Sequence, residues 1–169
     1  MRYGRPRSVF ASLIGGLLGG LIGAGVMSAG HALITRVAGD SPAPPANSDQ
    51  DEDSTVKVAQ HLSRVVRGRP LSDHEKPMAG HLVHYGFGTS MGLLYGAAAA
   101  VLPAVRFGAG TAYGAAVWLG AHAIVVPALG LARSPLSEPL TKEARELALH
   151  LAYGLAVGLV WKALVRTSR

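Results

Sequence analysis

The chain has 169 residues, of which 15% are charged and 49% belong to the apolar and aromatic set. An average soluble domain carries about 25% charged residues, and the charges here are also segregated. Residues 8–35, 77–105 and 107–132 contain no Asp, Glu, Lys or Arg, in runs of 28, 29 and 26 residues. About 20 apolar residues cross a bilayer core, so a water-soluble globule is excluded and a multi-pass membrane protein is expected. The net charge of +6 comes from basic residues that flank these runs rather than forming one patch, which argues against a nucleic-acid partner. With no Cys, disulfides and thiolate metal sites are excluded.

In chain order, the first span is expected at about 9–34. Its start, MRYGRPR before an apolar run, resembles a secretory signal, but the run is about twice the length of an h-region and is read as a retained span. Residues 39–55, GDSPAPPANSDQDEDST, are rich in Pro and acid and have no large apolar side chain, so this loop is expected to be disordered. Residues 56–67 follow as an amphipathic surface helix. Val58, Leu62, Val65 and Val66 recur at helical spacing and Gly68 is a stop. This helix either lies on the membrane or packs on the ends of the spans. Further spans are expected at about 80–105, 107–131 and 143–165, with Pro103, Arg106, Gly108 and Gly110 turning the second into the third. The apolar runs do not alternate in the manner of barrel strands, so each span is α-helical.

Charge also suggests an orientation. Arg2, Arg5, Arg7, Arg106, Lys162, Arg166 and Arg169 fall on one side without a single acid, whereas the loops 36–76 and 133–146 mix both signs. Basic residues alone do not decide the matter, because the longer loops carry nine. The acid-free side is read as cytoplasmic, with both termini there and the longer loops in the periplasm.

An internal repeat is visible. GGLIGAGVMSAGHA (19–32) aligns without gaps with GTAYGAAVWLGAHA (110–123), and HYGFGTSMGLLY (84–95) with HLAYGLAVGLVW (150–161). Pro70-Leu71-Ser72-Asp73 mirrors Pro135-Leu136-Ser137-Glu138 ahead of the second member. The predicted architecture is therefore an all-α membrane domain over 1–169, a four-helix bundle of two duplicated hairpins plus the short amphipathic helix.

Two residue types stand out within the spans. Gly15, Gly19 and Gly23, then Gly88, Gly92 and Gly96, Gly110 and Gly114, and Gly154 and Gly158 recur every fourth residue. Gly16 and Gly20 form a second row on an adjoining face of the first span. Lipid gives helices no hydrophobic reason to associate, so close backbone approach at small residues is the expected means. The second type is His. His31, His81, His84, His122 and His150 lie in or beside spans, all toward one membrane face, and Glu146 sits one turn before His150. Ionisable groups in spans are costly and are a site hypothesis by default. The candidate cluster is His31, His84, His122, Glu146 and His150. Its readings are a proton-responsive group, a metal site at His84, His122 and His150, a haem held by paired His, or hydrogen bonds that only stabilise the bundle. No nucleophilic triad, phosphate loop or pair of catalytic carboxylates is present, so an enzyme is not favoured and no cofactor is required. A transporter or channel, a homo-oligomer or a membrane-protein partner remain open alternatives.

His84 with its Gly/aromatic helix, His122-x4-Pro127-x2-Gly130-Leu131 and Glu146-x3-His150 together resemble the YagU-like bacterial inner-membrane proteins, over about Gly80 to Trp161. The resemblance implies a multi-pass inner-membrane protein and no established reaction. The first span and the acidic loop do not fit its pattern.

Overall fold

The computed structural model describes residues 6–38, 53–131 and 134–167, and these are helical with short turns. Helix α1 runs Pro6–Ala38, α2 Ser54–Arg67 and α3 Lys76–Val101. A 3-10 stretch at Pro103–Gly110 leads into α4 (Thr111–Val117), a π-helical segment (Trp118–Val125) and α5 (Val126–Ala128). After a short 3-10 turn at Pro135–Ser137, the long helix α6 covers Leu140–Thr167.

Three of these stretches are long and apolar enough to cross a membrane: Val9–Val37, Pro103–Ala128 and Leu140–Arg166. Helix α3 is 26 residues long, but Gly, His, Tyr, Ser and Thr are interspersed along it and dilute its apolarity. The expected second span therefore does not stand out with the other three. The acidic loop expected to be disordered falls mostly on residues 39–52, outside the described residues. Its last residues are ordered, which moves the start of α2 back to Ser54. The reason is local: the Asp53 carboxylate accepts hydrogen bonds from Thr55 N (2.8 Å) and Thr55 Oγ1 (2.9 Å), capping the helix.

Helix α1 is the keel, antiparallel to both α3 and α6, and its two glycine rows face different neighbours. A methyl group added at Gly15, Gly19 or Gly23 would press on Trp161, Val157 or Tyr153 of α6. One added at Gly16 or Gly20 would meet the backbone of Gly92, Gly96 and Gly88 in α3. The second contact is glycine on glycine, with main chain touching main chain. Gly92 and Gly96 return it against Gly16, Gly20 and Ser12, and Gly88 against the Ala24 methyl group. The third span meets α6 in the same manner, Gly110 and Gly114 lying against Gly154, Gly158 and the His150 carbonyl.

The two repeated sequence pairs thus form two antiparallel, glycine-seamed helix pairs, but they are not assembled symmetrically. Helices α1 and α6 pack along their lengths, whereas α3 meets the third span mainly at the hairpin between them. Between Phe87 and Met91 of α3 and Tyr113, Ala116 and Gly120 of the third span an apolar lateral crevice remains. Tyr113 reaches over it, its hydroxyl donating to the Met91 carbonyl at 2.6 Å.

The hairpin itself needs left-handed backbone, with φ of +60° at Gly108 and +100° at Gly110, and even Ala109 is drawn to +55°. Leu102 is extended before Pro103, which ends α3 at Val101. The start of α1, this hairpin and the end of α6 share one end of the bundle. There Ser12, 2% exposed, donates from Oγ to the Gly96 carbonyl (2.7 Å) and accepts from Trp161 Nε1 (2.6 Å), joining three helices. Arg106 donates from Nε to the Ala99 carbonyl (3.0 Å), with its guanidinium 5.1 Å from the Trp161 ring centre. Midway along, the buried Tyr153 of α6 donates its hydroxyl to the Gly88 carbonyl of α3 at 2.6 Å.

Candidate functional site

The opposite end of the bundle collects ionisable groups from α1, α3, the third span and α6. His31 is on the last turns of α1, His84 near the start of α3, His122 in the π-helical segment, and Glu143, Glu146 and His150 on the first turns of α6. Antiparallel pairing of the four helices puts these sequence-distant positions at one level. His31, His84 and His122 all lie within electrostatic reach of His150.

The closest pair is His122 and Glu143. Nε2 and Oε2 are 3.2 Å apart and both side chains are mostly covered, the ring nitrogen donating to the carboxylate. The His122 ring lies 5.9 Å from that of His150 and stacks on the Trp118 indole at 6.2 Å and 24°. The π-helical segment underlies that stack. Pro127 has no N–H to give the Ala123 carbonyl, and the turns before it open to the wider i→i+5 pattern. The Trp118 Nε1 atom is itself buried without a hydrogen-bond partner.

His150 donates from Nδ1 to the Glu146 carbonyl at 2.8 Å, because a carbonyl can only accept. The neutral ring therefore keeps Nε2 as an acceptor. His84 donates from Nε2 to the Ala24 carbonyl of α1 at 3.1 Å. His31 faces Glu146 across 3.8 Å, its side chain half exposed. His81 is exposed on α3, and His61 and His74 are exposed in or after α2.

Of the residues expected to form the cluster, His31 meets Glu146 and the His122 ring meets that of His150, while His84 is committed to the α1 backbone. Glu143 was not anticipated. Its signal was available, since it lies one turn before Glu146 on the same helix, but only the folded third span shows that it meets His122. The metal set His84, His122 and His150 is not assembled. Among the described residues no three His, Asp or Glu side chains are gathered to hold a metal ion. The physical reason is that His84 gives Nε2 to the Ala24 carbonyl of α1, while His150 gives Nδ1 to the Glu146 carbonyl one turn back on its own helix.

At the water-exposed side of this end, α2 is tied to the start of α3 by an ionic knot. Glu75 accepts from Arg69 Nη2 (2.8 Å) and Nη1 (2.9 Å), from Arg67 Nη1 (3.1 Å), and from Ser72 N and Oγ. These donors, Arg69 foremost, hold the Glu75 carboxyl well below the usual carboxylate range.

The architecture and its apolar surface define a helical membrane protein with a polar, His- and Glu-bearing end. The family model described as "Protein of unknown function (DUF1440)" matches residues 33–159, about three quarters of the chain, and the protein belongs to that family. No curated protein and no solved structure matches it.

Proposed function

We propose that the protein is a four-span bacterial inner-membrane protein whose periplasmic end is a proton-responsive binding module. The observation that carries this reading is the His122–Glu143 pair, flanked by the His150 ring and the Trp118 indole, with His31 and Glu146 beside it. The titratable ring against His122 is that of His150 on α6, and His31 of α1 pairs with Glu146, one turn along α6 from Glu143. Imidazole titrates near neutral pH, and adding a proton to His122 places a cation over the Trp118 ring.

Helix α3 is read as the fourth span. It lies antiparallel to α1 from the His84–Ala24 contact to the Ser12–Gly96 contact and carries no charged residue after Lys76. A helix matched to a spanning partner over that length occupies the same slab of membrane. Cytoplasmic termini are supported by Arg106, Lys162 and Arg166 sharing the end of the bundle that bears no acid. The bacterial inner membrane is supported by the resemblance of Gly80–Trp161 to YagU-like proteins.

The test is tryptophan emission of the protein in lipid nanodiscs, titrated from pH 8 to pH 5. A transition is expected that disappears in Trp118→Phe and in His122→Gln and persists in His61→Gln. An emission flat across this range, or a transition indifferent to His122→Gln, sinks the proton-responsive reading and leaves a bundle whose polar end is only structural. Orientation is checked separately with single cysteines. Ser48→Cys should react with an impermeant maleimide in intact cells and Ser168→Cys should not.

A further inference from the structure

Helix α2 is held to the rest of the protein by small and polar residues rather than by its apolar face. Ala59 and Ser63 are its buried positions, and Val56 rests where a methyl group on Gly80 would stand. Ser63 Oγ donates to the Arg69 carbonyl at 2.9 Å, and Gln60 Oε1 accepts from Leu71 N at 3.0 Å. Both helix ends are closed independently of the bundle, by Asp53 at the start and by Gly68 in the left-handed region at the finish. The side chains that give α2 its amphipathic pattern are left outside. Leu62 is 51% exposed, Val65 70% and Val66 78%.

At 3.6 residues per turn, Leu62 lies about 60° and Val58 and Val65 about 100–120° round the helix from Ala59, while Val66 lies only about 20° from it. Lys57 and Arg64 occupy the opposite side, His61 borders Val65 on the next turn, and residues 54–67 include three basic residues and no acid.

The level of α2 is also set. It seats on Gly80, within one turn of Met78 and Leu82, which project from the far side of α3 and are 66% and 68% exposed. Just before them come Asp73, Glu75 and Lys76 in ion pairs. The chain passes there from charged to apolar surroundings, which is the boundary of a bilayer.

We propose that α2 is an in-plane anchor that binds the anionic lipid surface at the edge of the bundle. Leu62, Val65 and Val66 enter the acyl boundary, and Lys57 and Arg64 lie among phosphate headgroups, with Arg67 held by Glu75 beside them. A basic helix with its apolar row exposed at membrane depth matches an anionic lipid surface in charge and in polarity. Its docking by small residues fixes the tilt of that row while keeping it uncovered.

The full chain has no Cys, so single nitroxide labels at Leu62→Cys and Arg64→Cys report on it without background. Both sites are exposed, lie on opposite sides of the helix, and are not among its buried positions. The protein is reconstituted in phosphatidylcholine vesicles with and without phosphatidylglycerol, and collisions with oxygen and with a polar nickel complex are compared. The oxygen-to-nickel ratio at 62 is expected to exceed that at 64 several-fold, and to rise when phosphatidylglycerol is included. Equal ratios at 62 and 64, or a ratio at 62 indifferent to phosphatidylglycerol, overturn the proposal. Spin–spin broadening at 62 that vanishes on dilution with unlabelled protein also overturns it, because a second copy then covers the face.

Discussion

The two ends of the bundle are made from the same helices, yet they satisfy their polar groups in opposite ways. At the end that holds Ser12 and Trp161, neutral donors meet acceptors over short distances and the Arg106 guanidinium is spread over a backbone carbonyl and an aromatic face. None of these groups is an imidazole or a carboxylate. At the other end, two imidazole–carboxylate pairs join α6 to its neighbours, His122–Glu143 at 3.2 Å to the third span and His31–Glu146 at 3.8 Å to α1. The first end suits a fixed joint. The second carries groups whose protonation can alter their mutual contacts. One fold therefore separates the work of holding helices together from any chemistry that needs titratable groups.

The largest expected effect comes from breaking the fixed part. Gly92→Leu should prevent close approach of α1 and α3, because any Cβ at 92 meets the main chain of Gly16 and Gly20. Over-packing of this kind costs about 1–3 kcal/mol and more where backbone is the obstacle. Leu93→Ala, at a side chain 38% exposed, should lower the melting temperature in detergent far less. Equal small shifts would mean the glycine seam is not what binds α1 to α3. Ser12→Ala comes next. It leaves Trp161 Nε1 and the Gly96 carbonyl without their shared partner, a loss of about 1–3 kcal/mol in the same melting experiment. A melting curve that overlays the parent would show the joint to be redundant.

At the titratable end the effects should be smaller in stability and visible instead in pH response. His122→Gln is expected to cost on the order of 0.6 kcal/mol, the average for a hydrogen bond between membrane helices, while removing the pH transition of Trp118. A large destabilisation with the transition intact would reverse the contrast between the two ends.

The ionic knot gives the smallest effect. The folded Glu75 carboxyl is depressed, so its stabilisation is complete above the ordinary carboxylate pKa of about 4.3 and declines only as pH falls below it. Trypsin cleavage after Arg67 should therefore be equally slow at pH 8 and pH 6, after correction for the enzyme's own pH profile. It should be faster at both in Glu75→Gln. Loosening of the parent between those two values would mean that Glu75 is not what holds this turn.

The helices and their glycine rows were legible in the sequence because both are periodic and local. Charge-free runs report where chain can sit in lipid, and a glycine at every fourth position reports a face without side chains. At α3 the charge-free run forms a helix whose interspersed Tyr, His, Ser and Thr keep it from the apolarity of the other three stretches although it carries no charge after Lys76. The repeat in the sequence implied two equivalent hairpins. Two similar glycine-seamed pairs form, but α1 is shared between α3 and α6, and a crevice opens on the other side. Similar faces do not dictate which neighbour each will meet.

What the sequence determined by itself is the helical class, the runs long and apolar enough to cross a membrane, and the turn at Pro103–Gly110. These follow from local composition, backbone freedom and spacing along one helix. Only the tertiary structure decided that Gly15/Gly19/Gly23 face α6 while Gly16/Gly20 face α3, that Ser12 joins three helices, and that Glu143 rather than His84 completes the pair with His122. It also decided that the apolar row of α2 faces outward. Each of these depends on which helix packs where, and a side chain one position along a helix turns about 100° to a different neighbour.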